Sequence, residues 1–332
     1  MQIRDIGEQG LLAKLQKFCP PEVIGDDGAI LTTTPGTSLV VTTDILVDGV
    51  HFSDRTTTPF DVGWRAAAAN LSDLAAMGAV PLGITVGLCL PPDLAVSWVE
   101  ALYEGLTSCL EISQTPIVGG DICRSSQITV AITAFGEVDP NFTIRRHAAK
   151  VGDVLLATGI HGASKAGLEL LLNPKIGANL SALARESLIK AHQQPNPRLD
   201  VLPHLQELYA NSTPVTIAGM DSSDGLADAV LQICRASSVG AMIEMSQLPI
   251  AGAIAHLVSA PEALNWTLYG GEDFELILSL PVEKAQLLVE QLGNGATIFG
   301  KIIPGTAVKL VDSQGHNPEI ILTLDRGFQH FR

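Results

Sequence analysis

Apolar positions along this chain follow two periods that take turns from one end to the other. Short runs rich in Val, Ile and Leu at 82–90, 127–138, 154–158, 215–218, 240–244, 274–280, 297–303 and 307–312 predict strands. Residues 29–33 and 38–43 read as a hairpin around Pro35-Gly36 that leads to Asp44. A short buried strand at 115–118 ends in Gly119-Gly120-Asp121. Helical spacing predicts helices near 94–112, 162–172, 180–192, 198–210, 225–235 and 281–292. Another helix is predicted from Thr58 to Ala76, with Thr58 as N-cap, Pro59 at the first helical position and Asp61 in the first turn. Its run Ala66 to Ala69 predicts close packing against another element. Asp73 falls near the end of this helix, where the dipole disfavours an anion, which is a pointer to function.

Strands and helices intermix, so the fold class is α/β, or mixed α+β. The segment Asp139 to Gly152 carries Pro140, Asn141 and the cluster Arg145-Arg146-His147, and reads as a domain junction. It divides the chain into an N-terminal domain, 1–138, and a C-terminal α/β domain, 150–332. A length of 332 residues suits two domains that each bury a core.

Composition narrows the function. With 46% hydrophobic and 17% charged residues, the chain is compact rather than disordered. A net charge of −15, with no Lys/Arg-rich run, argues against a nucleic-acid partner. Five cysteines without a Cys-x-x-Cys motif suggest neither a disulfide framework nor a zinc site; Cys89 and Cys109 read as small core residues. The N-terminus has no basic region followed by an apolar run. The longest apolar segment, around Gly78 to Leu90, is broken by Pro81 and Thr85, so no membrane partner is expected and the protein should be cytoplasmic.

The candidate chemistry lies in aspartates set among small residues: Gly25-Asp26-Asp27-Gly28, Thr42-Thr43-Asp44, Asn70-Leu71-Ser72-Asp73, Gly119-Gly120-Asp121, Asp221-Ser222-Ser223-Asp224 and Gly270-Gly271-Glu272-Asp273. Singly each has an ordinary reading: a solvated turn at Asp26-Asp27, a tight strand exit at Gly119-Gly120, a helix N-cap at Asp224. Jointly they suggest several Mg²⁺ ions gathered around a polyphosphate, because Mg²⁺ takes oxygen ligands and bridges carboxylates to phosphates. No phosphate-binding Gly-x-x-x-x-Gly-Lys-Ser/Thr loop is present; Gly159 to Lys165 fails the spacing. The histidines are dispersed without ligand spacing.

These motifs, with Val47-Asp48-Gly49-Val50-His51-Phe52 and the block Asn70 to Gly78, closely resemble the thiamine-monophosphate kinase family, within the aminoimidazole ribonucleotide synthetase superfamily. The resemblance runs from Gly7 to Phe331. It implies a two-domain fold whose N-terminal strands join those of a second copy in a dimeric barrel, and an N-terminal domain for ATP, Mg²⁺ and dimerisation. It implies ATP-dependent phosphorylation of thiamine monophosphate to thiamine diphosphate by direct in-line transfer. By the same resemblance Asp27, Thr42, Thr43, Asp44, Asp73, Asp121, Asp221 and Asp224 hold several Mg²⁺ ions. Gly120, Asp121, Arg146 and Ser223 contact ATP, and His51, Glu272 and Phe328 bind thiamine monophosphate. Ser222 stands where the family more often has an apolar residue, and Phe328 where Trp or Tyr is frequent. Rival readings are another ATP-using synthetase of the superfamily, or a non-catalytic Mg-nucleotide binding protein. A phosphate acceptor is already ionised at neutral pH, so no catalytic base is needed.

Overall fold

The computed structural model describes residues 1–21, 23, 27–212, 214–293 and 295–327. These form two compact units, one of residues 1–74 and 79–138, the other of residues 75–78 and 139–332.

The first unit carries helix α1 (Ile3–Leu15), strand β1 (Ser38–Val47), helix α2 (Pro59–Ala76), β2 (Val80–Leu90), α3 (Val96–Leu110), β3 (Ile117–Arg124) and β4 (Thr129–Val138). Its strands form a four-stranded sheet in the order β1-β4-β2-β3, with only the β2–β3 pair parallel. Burial alternates along β2 and β4: Ile84, Val86, Leu88, Val130, Ile132 and Ala134 are buried, and the residues between them are not. One face of the sheet is therefore covered. The other presents Leu39, Val41 and Ile45 of β1, all about half exposed. As the sequence predicts, α2 starts at Thr58, whose Oγ1 accepts the Asp61 backbone N–H at 3.2 Å, and Ala66 to Ala68 are fully buried.

The second unit holds β5 (Phe142–Arg145), β6 (Val154–Ala157), α4 (Ala163–Leu172), α5 (Ala182–Gln193), α6 (Val201–Tyr209), β7 (Val215–Asp221), α7 (Leu226–Ser237), β8 (Gly240–Glu244), α8 (Ala260–Tyr269), β9 (Leu276–Leu280), α9 (Val282–Leu292), β10 (Thr297–Ile303), β11 (Val308–Val311) and β12 (Ile320–Ile321). Its mixed sheet has eight strands in the order β12-β11-β8-β10-β6-β9-β7-β5. Successive strand residues enter different cores: Leu155 and Ala157 pack with α7, whereas Leu156 packs with α6 and α9. A sheet covered on both faces explains why its strands read as continuous apolar runs.

Several expectations are corrected. Residues 29–33 form no strand and there is no hairpin. Instead the turn at Thr34–Thr37 is tied to β4, where the Glu137 carboxylate accepts the Thr34 backbone N–H at 2.6 Å and both threonine hydroxyls. β3 does not end before Gly119 but runs through Asp121 to Arg124. The junction contains β5, paired parallel with β7. The hydrophobic pattern predicts neither α1 nor α8; α1 buries only Leu11 and Leu15, too few to impose a helical period. Cys109 is buried, but Cys89 is only half-buried and its Sγ lies 3.1 Å from that of Cys123, its register partner on β3. Among the described residues no helix is long and apolar enough to cross a membrane.

Candidate active site

In the first unit, strand register decides which candidate side chains share a face. Residues opposite one another across a ladder project to the same side, and neighbours along a strand project to opposite sides. Thr42 pairs with Ala134 and Asp44 with Ile132, both on the covered side. Thr43 pairs with Thr133 on the open side, with the two hydroxyl oxygens 2.9 Å apart. The Thr42 hydroxyl donates to the carboxylate of Asp73, which α2 delivers. One turn earlier, Asn70 accepts the Asp44 backbone N–H at 3.1 Å while its own amide donates to the Ala66 carbonyl at 3.0 Å. Two motifs distant in sequence are thus joined at two points. Hydrogen bonding to Thr42 gives the Asp73 carboxylate a partner at a helix end that offers it no favourable dipole.

Asp121 is exposed on β3 and pairs with Gly87, which alternation puts on the open side. It stands three strands from β1, roughly 14 Å away at about 4.8 Å per strand. Gly120 is required by packing alone, since a Cβ there would meet the Val86 carbonyl oxygen at 2.3 Å. His51 lies in the turn after β1; its Nδ1 accepts the Val47 backbone N–H at 3.0 Å, which leaves the proton of the neutral ring on Nε2. Asp27 is exposed in a bend, and its neighbour Asp26 lies outside the described residues.

In the second unit, Asp221 closes β7 and is buried. Ser223 donates to its carboxylate at 3.4 Å, and the Ser223 carbonyl accepts the Glu272 backbone N–H at 2.7 Å. This contact is close enough that a Cβ at Gly271 would meet the same carbonyl at 2.5 Å. Glu272 is held at φ +66°, a left-handed conformation uncommon outside glycine, and its carboxylate lies 3.9 Å from Nδ1 of the buried His192. Strain of this kind persists only where neighbours enforce it. The capping expectation for Asp224 is corrected: the N-cap of α7 is Gly225, which makes no side-chain cap bond. Arg146 is exposed, and its backbone carbonyl accepts from Ser237 at 3.0 Å. Phe328 lies outside the described residues.

The structure adds Asp228, His161 and Glu275, which sequence reading passed over, and gives Ser222 and Asp273 their partners. Asp228, in the first turn of α7, is held above the usual carboxylate range by burial and by nearby Asp224, with Arg146 pulling the other way. Ser222 is fully buried, and its Oγ lies 3.0 Å from Nε2 of His161, also fully buried. Nδ1 of that ring is 3.2 Å from the Gly159 carbonyl, which can only accept. Nδ1 therefore carries the proton and Nε2 accepts from Ser222. Burial pushes His161 down to about 4, so the ring is neutral at physiological pH. Asp273 and Glu275 follow Glu272 into the interior. Glu275 accepts from Thr158 at 2.6 Å and pairs with Arg198, which also donates to the Thr158 carbonyl at 2.8 Å. Among the described residues, no three His, Cys, Asp or Glu side chains come together as a ready-made metal cage. The candidate ligands are nevertheless all hard oxygen donors, carboxylates and hydroxyls, the chemistry Mg²⁺ takes.

Residues 25–138 match the AIR synthase related protein, N-terminal domain, and residues 150–313 match its C-terminal domain. The thiamine-monophosphate kinase of Synechococcus elongatus is 52% identical over 329 residues, which is 99% of this chain and 98% of that one. The chain belongs to the thiamine-monophosphate kinase family. Among solved structures, the thiamine-monophosphate kinase from Stenotrophomonas maltophilia K279a is 31% identical with a TM-score of 0.77, covering 91% of this chain and 94% of its own. AaThiL complexed with AMPPCP and TMP is 32% identical with a TM-score of 0.73, covering 97% and 99%. The match to this family spans both units.

Proposed function

We propose that this protein transfers the γ-phosphoryl group of ATP to the phosphate of thiamine monophosphate, giving thiamine diphosphate and ADP. The identity of 52% with the S. elongatus kinase across nearly the full length of both chains carries this reading. A phosphate oxygen of the acceptor attacks the γ-phosphorus and the bond to the β-phosphate oxygen breaks; the acceptor is ionised, so no proton has to be removed first.

The task for the protein is to bring two anions together. Asp27, Thr42, Thr43, Asp44, Asp73 and Asp121 of the first unit, with Asp221 and Asp224 of the second, would hold several Mg²⁺ ions. Bound there, the ions neutralise charge on the phosphates. Gly120, Asp121, Arg146 and Ser223 address ATP, with the guanidinium fork suited to a phosphate. His51 and Glu272 address thiamine monophosphate, with Phe328 stacking on its rings. The backbone bond from Glu272 to Ser223 supports this reading, since it ties the residue proposed for thiamine monophosphate to one proposed for ATP.

The working form is a cytoplasmic homodimer in which the first unit's sheet joins that of a second copy in a shared barrel. Two features support it. β1 and β3 are both edges of the four-stranded sheet, and Leu39, Val41 and Ile45 of β1 present apolar side chains on its open face. Edge-to-edge closure between copies would bring β3 of one beside β1 of the other and remove both edges. The test is turnover of purified protein with ATP, Mg²⁺ and thiamine monophosphate. Stoichiometric ADP and thiamine diphosphate are expected, and their absence at saturating Mg²⁺ would overturn the reading.

A further inference from the structure

His161 is tied to the loop Asp221–Asp224 through a single side chain. The imidazole sits in the turn between β6 and α4, and its backbone N–H donates to the Pro249 carbonyl at 2.7 Å. Its Nδ1–H is spent on Gly159, so its remaining lone pair points to Ser222 Oγ at 3.0 Å. Ser222 is fixed at two further points: its backbone N–H donates to the Glu275 carbonyl at 2.9 Å, and its own carbonyl accepts the Gly225 N–H at 3.0 Å. Neither side chain is exposed to solvent, so no water replaces a lost bond. An apolar residue at 222 would leave the ring nitrogen without a partner in the interior. The imidazole and the hydroxyl are therefore a matched pair, and Ser222 is the chain neighbour of both Asp221 and Ser223.

We propose that His161, acting through Ser222, is a positioning residue that sets the Asp221–Asp224 loop for Mg²⁺ and ATP. This rests on reading that loop as a ligand loop. Ser222 is the anchored residue of the loop, and Asp221, itself buried, and Ser223 flank it in the chain. A shift of Ser222 therefore moves both neighbours together, and small displacements of ligating groups cost rate disproportionately.

The experiment is calorimetric titration with Mg²⁺ and a non-hydrolysable ATP analogue, beside steady-state kinetics varying Mg²⁺ and ATP, on Ser222→Ala, His161→Gln and Asp221→Asn and on a core control, Leu288→Ala. Ser222→Ala is expected to raise the Kd for the Mg²⁺-analogue complex, the Mg²⁺ concentration for half-maximal rate and the KM for ATP on the order of tenfold. His161→Gln, whose amide can donate to Gly159 and accept from Ser222, is expected to stay within about twofold of the parent. The control is expected to leave all three constants unmoved. Equal constants for Ser222→Ala and Leu288→Ala would overturn the positioning role. Full activity of Asp221→Asn would instead overturn the ligand-loop reading on which it rests.

Discussion

The carboxylate of Asp273 accepts the backbone N–H of Ser164 at 2.8 Å, and with it that of Gly162 at 2.6 Å, capping α4 from a segment 109 residues away. Helix N-termini leave such donors unpaired, and a carboxylate there also meets the positive end of the dipole. Burial nonetheless dominates and pushes Asp273 up to about 7, against those two donors.

Asp273 and His161 pull stability in opposite directions with pH. Asp273 gains protons on folding between its ordinary 3.8 and about 7, so its contribution weakens as pH rises through that window. His161 sheds protons on folding between its ordinary 6.5 and about 4, so its contribution weakens as pH falls. The two offset each other over their shared range. We predict that Asp273→Asn becomes steadily less stable as pH falls from 6.5 to 4, whereas His161→Gln becomes more stable on the same path. Urea midpoints at four pH values decide it, and parallel curves for the two variants would refute the assignment.

Arg198 and Glu275 are both largely buried and share Thr158. Burial pushes the Glu275 carboxyl up and the guanidinium holds it back. Arg198→Met removes the compensation and is expected to cost about 3–5 kcal/mol. Adding Glu275→Gln is expected to recover part of that loss. Chemical denaturation of the single and double variants measures the recovery; a double variant worse than the single would count against the pairing.

The two adjacent glycines of β3 should behave differently. At Gly120 a methyl group collides with a backbone carbonyl that cannot move without parting β2 from β3, so Gly120→Ala should cost about 1–3 kcal/mol and activity with it. At Gly119 a Cβ meets only the Thr85 methyl at 3.6 Å, an ordinary contact, and Gly119→Ala should stay within about 0.5 kcal/mol. Thermal melts of the pair test this without reference to ligands.

What the sequence determined by itself is what is local: element type, the Thr58 cap, the buried alanines of α2 and the acidic motifs that mark the family. Each depends on residues a few positions apart, where period and turn chemistry act. What only the tertiary structure decided is partnership. The residues 29–33 are extended enough to suggest a strand, but a strand needs a ladder, and the turn after them is tied to Glu137 instead. Thr42 and Thr43 are identical in sequence terms, yet register sends one hydroxyl to Asp73 and the other to Thr133. Ser222 reads as a harmless exchange until His161, 61 residues earlier, is seen to need its proton. Burial and hydrogen-bond direction are properties of the packed chain, and they turn a list of acidic motifs into residues with assigned partners.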